Sequence, residues 1–115
     1  MMSILRRLFP AYFSDYWMRE REFSPFRAAI SAAFVTGGAG AQPFDNRSAL
    51  ASMTTPSLVI VGADDFICGL RWANELHAGI RESQLLLLDR SGHFGHIEQA
   101  ADFADAVAAF VSQGS

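Results

Sequence analysis

The sequence has little with which to make a cross-link, a membrane anchor or a nucleic-acid face. A lone cysteine, Cys68, stands among 115 residues. It excludes a disulfide within the chain and points to a reducing compartment. No apolar run approaches the ~18 residues of a membrane span. Arg6 and Arg7 follow a short apolar start, but no apolar stretch with a small-residue cleavage site comes after them, so no signal peptide is expected and the cytoplasm is the default location. The formal net charge is only −3. Without a basic block or an acidic tail, nucleic acid and membrane surfaces are not expected partners. Internal repeats and low-complexity segments are absent too. What is present is apolar side chain, half of the composition, which marks a globular chain of one domain or part of one.

The chain is organised around Pro56 to His96. Leu58 to Val61 is apolar without alternation, the mark of a strand buried on both faces. Gly62 ends it, and Asp64 and Asp65 follow. Leu70, Ala73, Leu76 and Ile80 recur at helical spacing. Gln84 to Leu88 reads as a second buried strand, running through Ser91 and Gly92 to His93. Strand, helix and strand in this order make a βαβ unit with parallel strands. Phe103, Val107, Phe110 and Val111 mark one face of a closing helix. In open α/β sheets the functional groups sit past the carboxyl ends of the strands, so Asp65 and His93 are expected at one rim.

The first half carries helical signals. Phe9, Tyr12, Phe13, Tyr16 and Trp17 share one helical face, with Pro10 near its start. That stripe either lines a pocket or packs against neighbouring structure. Asp15 and Arg19 stand at pairing distance on the wet side of the same helix. Ser24 and Pro25 read as a helix start, followed by Phe26, Ala29, Ile30, Ala33 and Phe34 at helical spacing. The glycines at 37, 38 and 40 form a loop, without the strand and lysine of a phosphate cradle. Asp45 is placed to cap a short helix over 46–51, and Pro56 forces an extended entry into the first strand.

A buried Asp beside a His fixes the ring tautomer, and the His then takes and returns a proton. Asp64 competes with Asp65 for that position, and residue type does not choose between them. His96 offers a third group, but no further ligand and no H-E-x-x-H accompanies it, so neither a metal nor any other cofactor is expected. His77 reads as a surface or rim residue. Cys68 reads as a small buried packing residue rather than a nucleophile.

From Pro56 to Val111 the chain resembles the C-terminal part of an α/β-hydrolase. The resemblance rests on P-S-L-V-I-V-G-A-D-D, the Ala73–Leu76 helix, S-G-H-F, and E-Q-A-A-D-F with its helix, including Glu98. It implies that Asp65, three residues after the closing glycine, is the triad acid and that His93 is the base. Gly69 and Ala100 stand where members often carry proline. L-R-R-L-F-P-A-Y-F-S-D-Y-W with R-E-F-S-P-F-R is similar to the helical cap of prolyl-aminopeptidase-like members. The implied layout is α/β: a partial helical cap over 1–52, then a core segment over 53–115. The implied chemistry is hydrolysis of a small-molecule ester, amide or peptide.

The sequence contains no G-x-S-x-G, so the strained elbow that presents the nucleophilic serine is missing, and Ser91 in the histidine loop does not replace it. Three readings follow. The chain is the acid–base half of a hydrolase whose serine lies on another polypeptide or was lost by truncation of the gene. Or it is a binding or dimerisation module that uses the open sheet edge. Or it is a remnant of the fold. Two apolar strands without neighbours predict exposed apolar surface and marginal stability in isolation.

Overall fold

The structure is a computed structural model and describes residues 6–29 and 44–114. Strand β1 (Ser57–Gly62) and strand β2 (Ser83–Leu88) pair in parallel, Ser57 opposite Ser83 through to Gly62 opposite Leu88. Helix α2 (Leu70–Gly79) connects them and packs against both. The expected βαβ unit is therefore present, each element within about a residue of where its apolar pattern placed it. A 3-10 helix at Arg47–Ser52 lies against α2. Leu50 comes so close to Gly79 that a Cβ there would meet it at 2.7 Å. Asp45 supports this turn from outside. Its Oδ1 accepts the Arg47 N–H at 3.0 Å, and its carboxylate also takes the Arg47 side chain.

Beyond β2, the chain makes one helical turn, α3 (Gly95–Glu98), and closes with α4 (Ala100–Gln113). Helix α4 contacts β2 but buries none of its side chains fully. Among its expected core residues, Val111 is exposed. The strands are likewise less covered than their sequences imply. Only Val61, Gly62 and Leu88 are fully buried, and Leu87 remains 42% exposed. The reason is architectural: all-apolar strands are made for a sheet with neighbours and helices on both faces, and the described residues form a sheet of two strands.

The densest packing lies in the first half. Phe9, Tyr12, Phe13, Tyr16 and Phe23 form one buried cluster, with Phe94 and Ile97 packed against it. Of the two readings of the aromatic stripe, packing is what the structure shows, apart from the exposed Trp17. The continuous helix expected here does not form. Phe9–Tyr12 is a 3-10 turn, Phe13 is extended, and Trp17–Arg19 is a second 3-10 turn. Tertiary partners displace the helical ladder. Tyr12 O accepts the His93 N–H at 2.7 Å, and the Ser14 and Asp15 N–H groups go to Glu98. A backbone group already bonded elsewhere has nothing left for its i−4 partner.

Two further expectations are corrected. Arg19 turns away from Asp15 and forks onto Glu22, at 3.0 Å from Nε and 2.7 Å from Nη2. Ser24 and Pro25 do not open a helix but lie inside α1 (Glu20–Ala29), which begins where the second 3-10 turn delivers the chain. The rest of that expected stripe, at 30, 33 and 34, and the glycine loop lie outside the described residues.

Candidate active site

Asp65 and His93 meet where the two strands end. After β1, the Ala63 N–H bonds Leu88 O at 3.0 Å and the Asp64 N–H bonds Ser91 O at 2.9 Å, so the two loops leave the sheet locked together. Gly62 and Gly92 make this possible by close approach. A Cβ on Gly62 would fall 2.1 Å from Gly92 O, and one on Gly92 would fall 2.4 Å from Tyr12 O. Both loops are thus pressed between the sheet and the aromatic segment.

Asp65 Oδ2 lies 3.0 Å from His93 Nδ1. Its other oxygen, Oδ1, accepts the Ile67 N–H at 2.9 Å and the Cys68 N–H at 3.1 Å. The Asp65 side chain is 7% exposed and that of His93 is 32% exposed. Burial alone would push the Asp65 carboxyl up, but the Cys68 N–H, the His93 ring and the Ile67 N–H together outweigh it and hold the group below its ordinary value. An ionised carboxylate only accepts, so the proton of the bond sits on His93 Nδ1. Nε2 is then left as the ring's basic nitrogen. The ring is also held by aromatic neighbours, its centroid 5.8 Å from Tyr12 and 5.5 Å from Phe94. A pair built this way can accept a proton from a nucleophile and stabilise the resulting imidazolium.

The adjacent carboxylates have separate partners. Asp64 receives the Ser14 hydroxyl, which ties the aromatic segment to the strand-end loop, while Asp65 faces the histidine. His96 is exposed, its ring 6.0 Å from Phe103. It joins Gly62, Asp65 and His93 around a cavity of about 100 Å³. Among the described residues no group of His, Cys, Asp or Glu is placed to hold a metal ion. His77 sits at the end of α2 and bonds Ser83 Oγ at 2.8 Å, away from this cavity. Cys68 is exposed rather than packed, because the Asp65 turn presents its backbone inward and its side chain outward. Ser91 is fully buried, its hydroxyl donating to Gln99 Oε1 at 2.7 Å.

One residue matters more than its sequence signal foretold. Glu98, 3% exposed, accepts three backbone N–H groups: Ser14 at 2.9 Å, Asp15 at 2.8 Å and Gly92 at 3.0 Å. It fastens the aromatic segment to the residue before His93. The resemblance placed Glu98 only as part of the family's ending. The overlooked signal is that no basic residue stands three or four positions away to pair with it on a helix.

This βαβ arrangement is that of the α/β-hydrolases. The chain matches the profile of the TAP-like protein family over residues 29–115 and belongs to that family. It is 30% identical over 82 residues to the AB hydrolase superfamily protein YisY of Bacillus subtilis (strain 168), covering 71% of this chain and 31% of that protein. The chain therefore spans about a third of the length of this relative. Among solved structures, a serine hydrolase involved in carbazole degradation (CarC) superposes with a TM-score of 0.58 at 28% identity, over 62% of this chain and 28% of that one. An esterase from Exiguobacterium antarcticum superposes with a TM-score of 0.68 over 96% of this chain and 42% of its own, at 18% identity, a likeness of fold. No helix among the described residues is long and apolar enough to cross a membrane.

Proposed function

We propose that Asp65 and His93 are the acid and base of a Ser-His-Asp hydrolase, and that the nucleophilic serine is supplied by polypeptide outside this sequence. The observation that carries the reading is the 3.0 Å contact of Asp65 Oδ2 with His93 Nδ1, past the ends of two adjacent parallel strands. Asp65 orients the ring, and His93 Nε2 takes the serine proton and returns it to the leaving group. The reaction is hydrolysis of an ester or amide bond. The likeness of residues 5–27 to the caps of prolyl-aminopeptidase-like enzymes favours release of an N-terminal residue from a peptide. The caps and cores divide at about residue 52, and the location is the cytoplasm.

A graft tests this. The part of the carbazole-degradation serine hydrolase (CarC) that matches this chain is replaced by it, which brings that enzyme's serine to His93. The folded chimera is expected to hydrolyse p-nitrophenyl esters and to take a fluorophosphonate label. His93→Ala and Asp65→Asn should each lower kcat by about 10³–10⁴-fold; Asn leaves the ring in the wrong tautomer. A folded chimera whose activity ignores both substitutions rules the assignment out. The chain by itself should remain unlabelled, and covalent labelling would show that it carries its own nucleophile.

A second reading rests on the edge of β1 that faces away from β2: among the described residues it has no strand partner. There the chain is a binding or dimerisation module, pairing with a second copy about a two-fold axis. Light scattering separates the two, since a discrete, stable dimer without esterase activity in the graft supports the module.

A further inference from the structure

Three arginines stand together beside the aromatic segment, away from the Asp65–His93 pair. Arg6, Arg7 and Arg27 line a cleft of about 400 Å³. Arg27 is not a free surface side chain. Its guanidinium carbon stands 5.9 Å from the Phe9 ring centroid and 5.7 Å from that of Tyr16, and both rings are almost wholly buried. Its Nε is buried with no hydrogen-bond partner among the described residues. A buried donor without an acceptor is costly and calls for a missing partner.

The charge balance identifies the kind of partner. Among the described residues none of the three arginines forms an ion pair. The carboxylates that do pair are engaged elsewhere: Glu22 with Arg19, Asp45 and Glu75 with Arg47, Asp89 and Asp102 with Arg90. Asp64, Asp65 and Glu98 serve Ser14, His93 and backbone N–H groups. The two sequence segments flanking this region, 1–5 and 30–43, contain no Asp or Glu. The remaining carboxylates, Asp15, Glu20, Glu82 and Asp105, form no ion pair among the described residues, so none of them neutralises the three arginines. Planar guanidinium forks suit carboxylate and phosphate oxygens.

An apolar groove of about 180 Å³ is lined by Phe9, Phe26, Phe94 and Ile97 among others, and Phe26 precedes Arg27 in the chain. The Phe9 ring links the two, 5.9 Å from the Arg27 guanidinium carbon and 6.1 Å from the Phe94 ring. We infer that the Arg6–Arg7–Arg27 cleft binds the oxyanion of a small organic ligand, a carboxylate or a phosphate, whose apolar body lies in the Phe9–Phe94 groove. The site uses neither Asp65 nor His93, so it stands or falls apart from the hydrolase reading.

Titration of the chain, followed through the arginine Nε–H resonances and by calorimetry, tests it. The probes are acetate, hexanoate and inorganic phosphate, with sodium chloride at matched ionic strength as control. Saturable binding is expected, with a shift of the Arg27 Nε–H signal. Hexanoate binding tighter than acetate identifies a carboxylate with an apolar body; phosphate binding tighter than both identifies a phosphoryl oxyanion, and hexanoate binding no tighter than acetate overturns the part given to the groove. Arg27→Gln should weaken binding about tenfold, the scale of one charge-assisted pair. The Arg6→Gln/Arg7→Gln double variant, at two exposed positions, should do the same without touching the aromatic cluster. A linear response, a response reproduced by sodium chloride, or wild-type affinity in both variants overturns the inference.

Discussion

Asp65 shows how one side chain divides its work. One oxygen is held by backbone N–H groups of its own turn and the other faces His93, so the loop conformation and the ring orientation depend on the same carboxylate. This linkage has a sign. The folded-state carboxyl titrates below its ordinary 3.8, so the unfolded chain takes up the proton first as pH falls. The group's stabilisation is complete above about pH 4 and is lost as pH drops through the depressed value. Asp65→Asn should flatten the acid limb of a plot of urea midpoint against pH, and an acid limb identical to that of the parent chain would rule out this role. Glu98 is the counterpart without a ring to orient. Three N–H groups depend on it, and the buried one, that of Gly92, costs about 1–3 kcal/mol when stripped of its acceptor.

The 9–17 segment explains how the histidine loop is held. It has the composition of an amphipathic helix but is broken into two 3-10 turns around an extended Phe13. The break frees Tyr12 O for His93 and turns the Ser14 and Asp15 N–H groups to Glu98. The histidine loop reciprocates by carrying glycine where the segment crosses it. Gly92→Ala places a methyl group 2.4 Å from Tyr12 O, a backbone atom that cannot rotate aside. A loss of about 1–3 kcal/mol is expected, as for other overpacked sites. Hydrogen exchange of the His93 amide, whose acceptor is Tyr12 O, should quicken. Protection unchanged from the parent would mean that the segment and the loop are not coupled through this crossing.

The molecule as a whole has more apolar surface than its two-stranded sheet can cover. Phe66, Ile67, Trp72, Leu76 and Leu87 are all exposed, on and around the βαβ unit of a chain that matches only about a third of the length of its relatives. Exposed apolar area of this kind marks a surface normally covered by something else. The chain in isolation is expected to bind ANS and to melt broadly. A sharp cooperative transition without dye binding would show that the described residues already form a sufficient core.

The strands, helix α2 and the rim shared by Asp65 and His93 were legible in the sequence, because their signals are local. An apolar run bounded by glycine, a stripe of period 3.6 and a polar residue after each run need no knowledge of distant residues. Four features were not legible: the broken aromatic helix, the turn of Arg19 toward Glu22, the outward side chain of Cys68 and the anchoring by Glu98. Arg19 pairs with a residue only three positions on, but its Nη1 also donates to the remote Glu98 O at 2.8 Å; the other three are decided by a backbone group or carboxylate satisfied by a partner remote in sequence or by the shape of a turn. Residue type left the choice between Asp64 and Asp65 open, and only the family resemblance pointed to Asp65. Adjacent and chemically alike, they are separated by Ser14 reaching one and His93 the other. Periodicity places apolar faces, but only the folded chain determines which polar atoms come within hydrogen-bond reach.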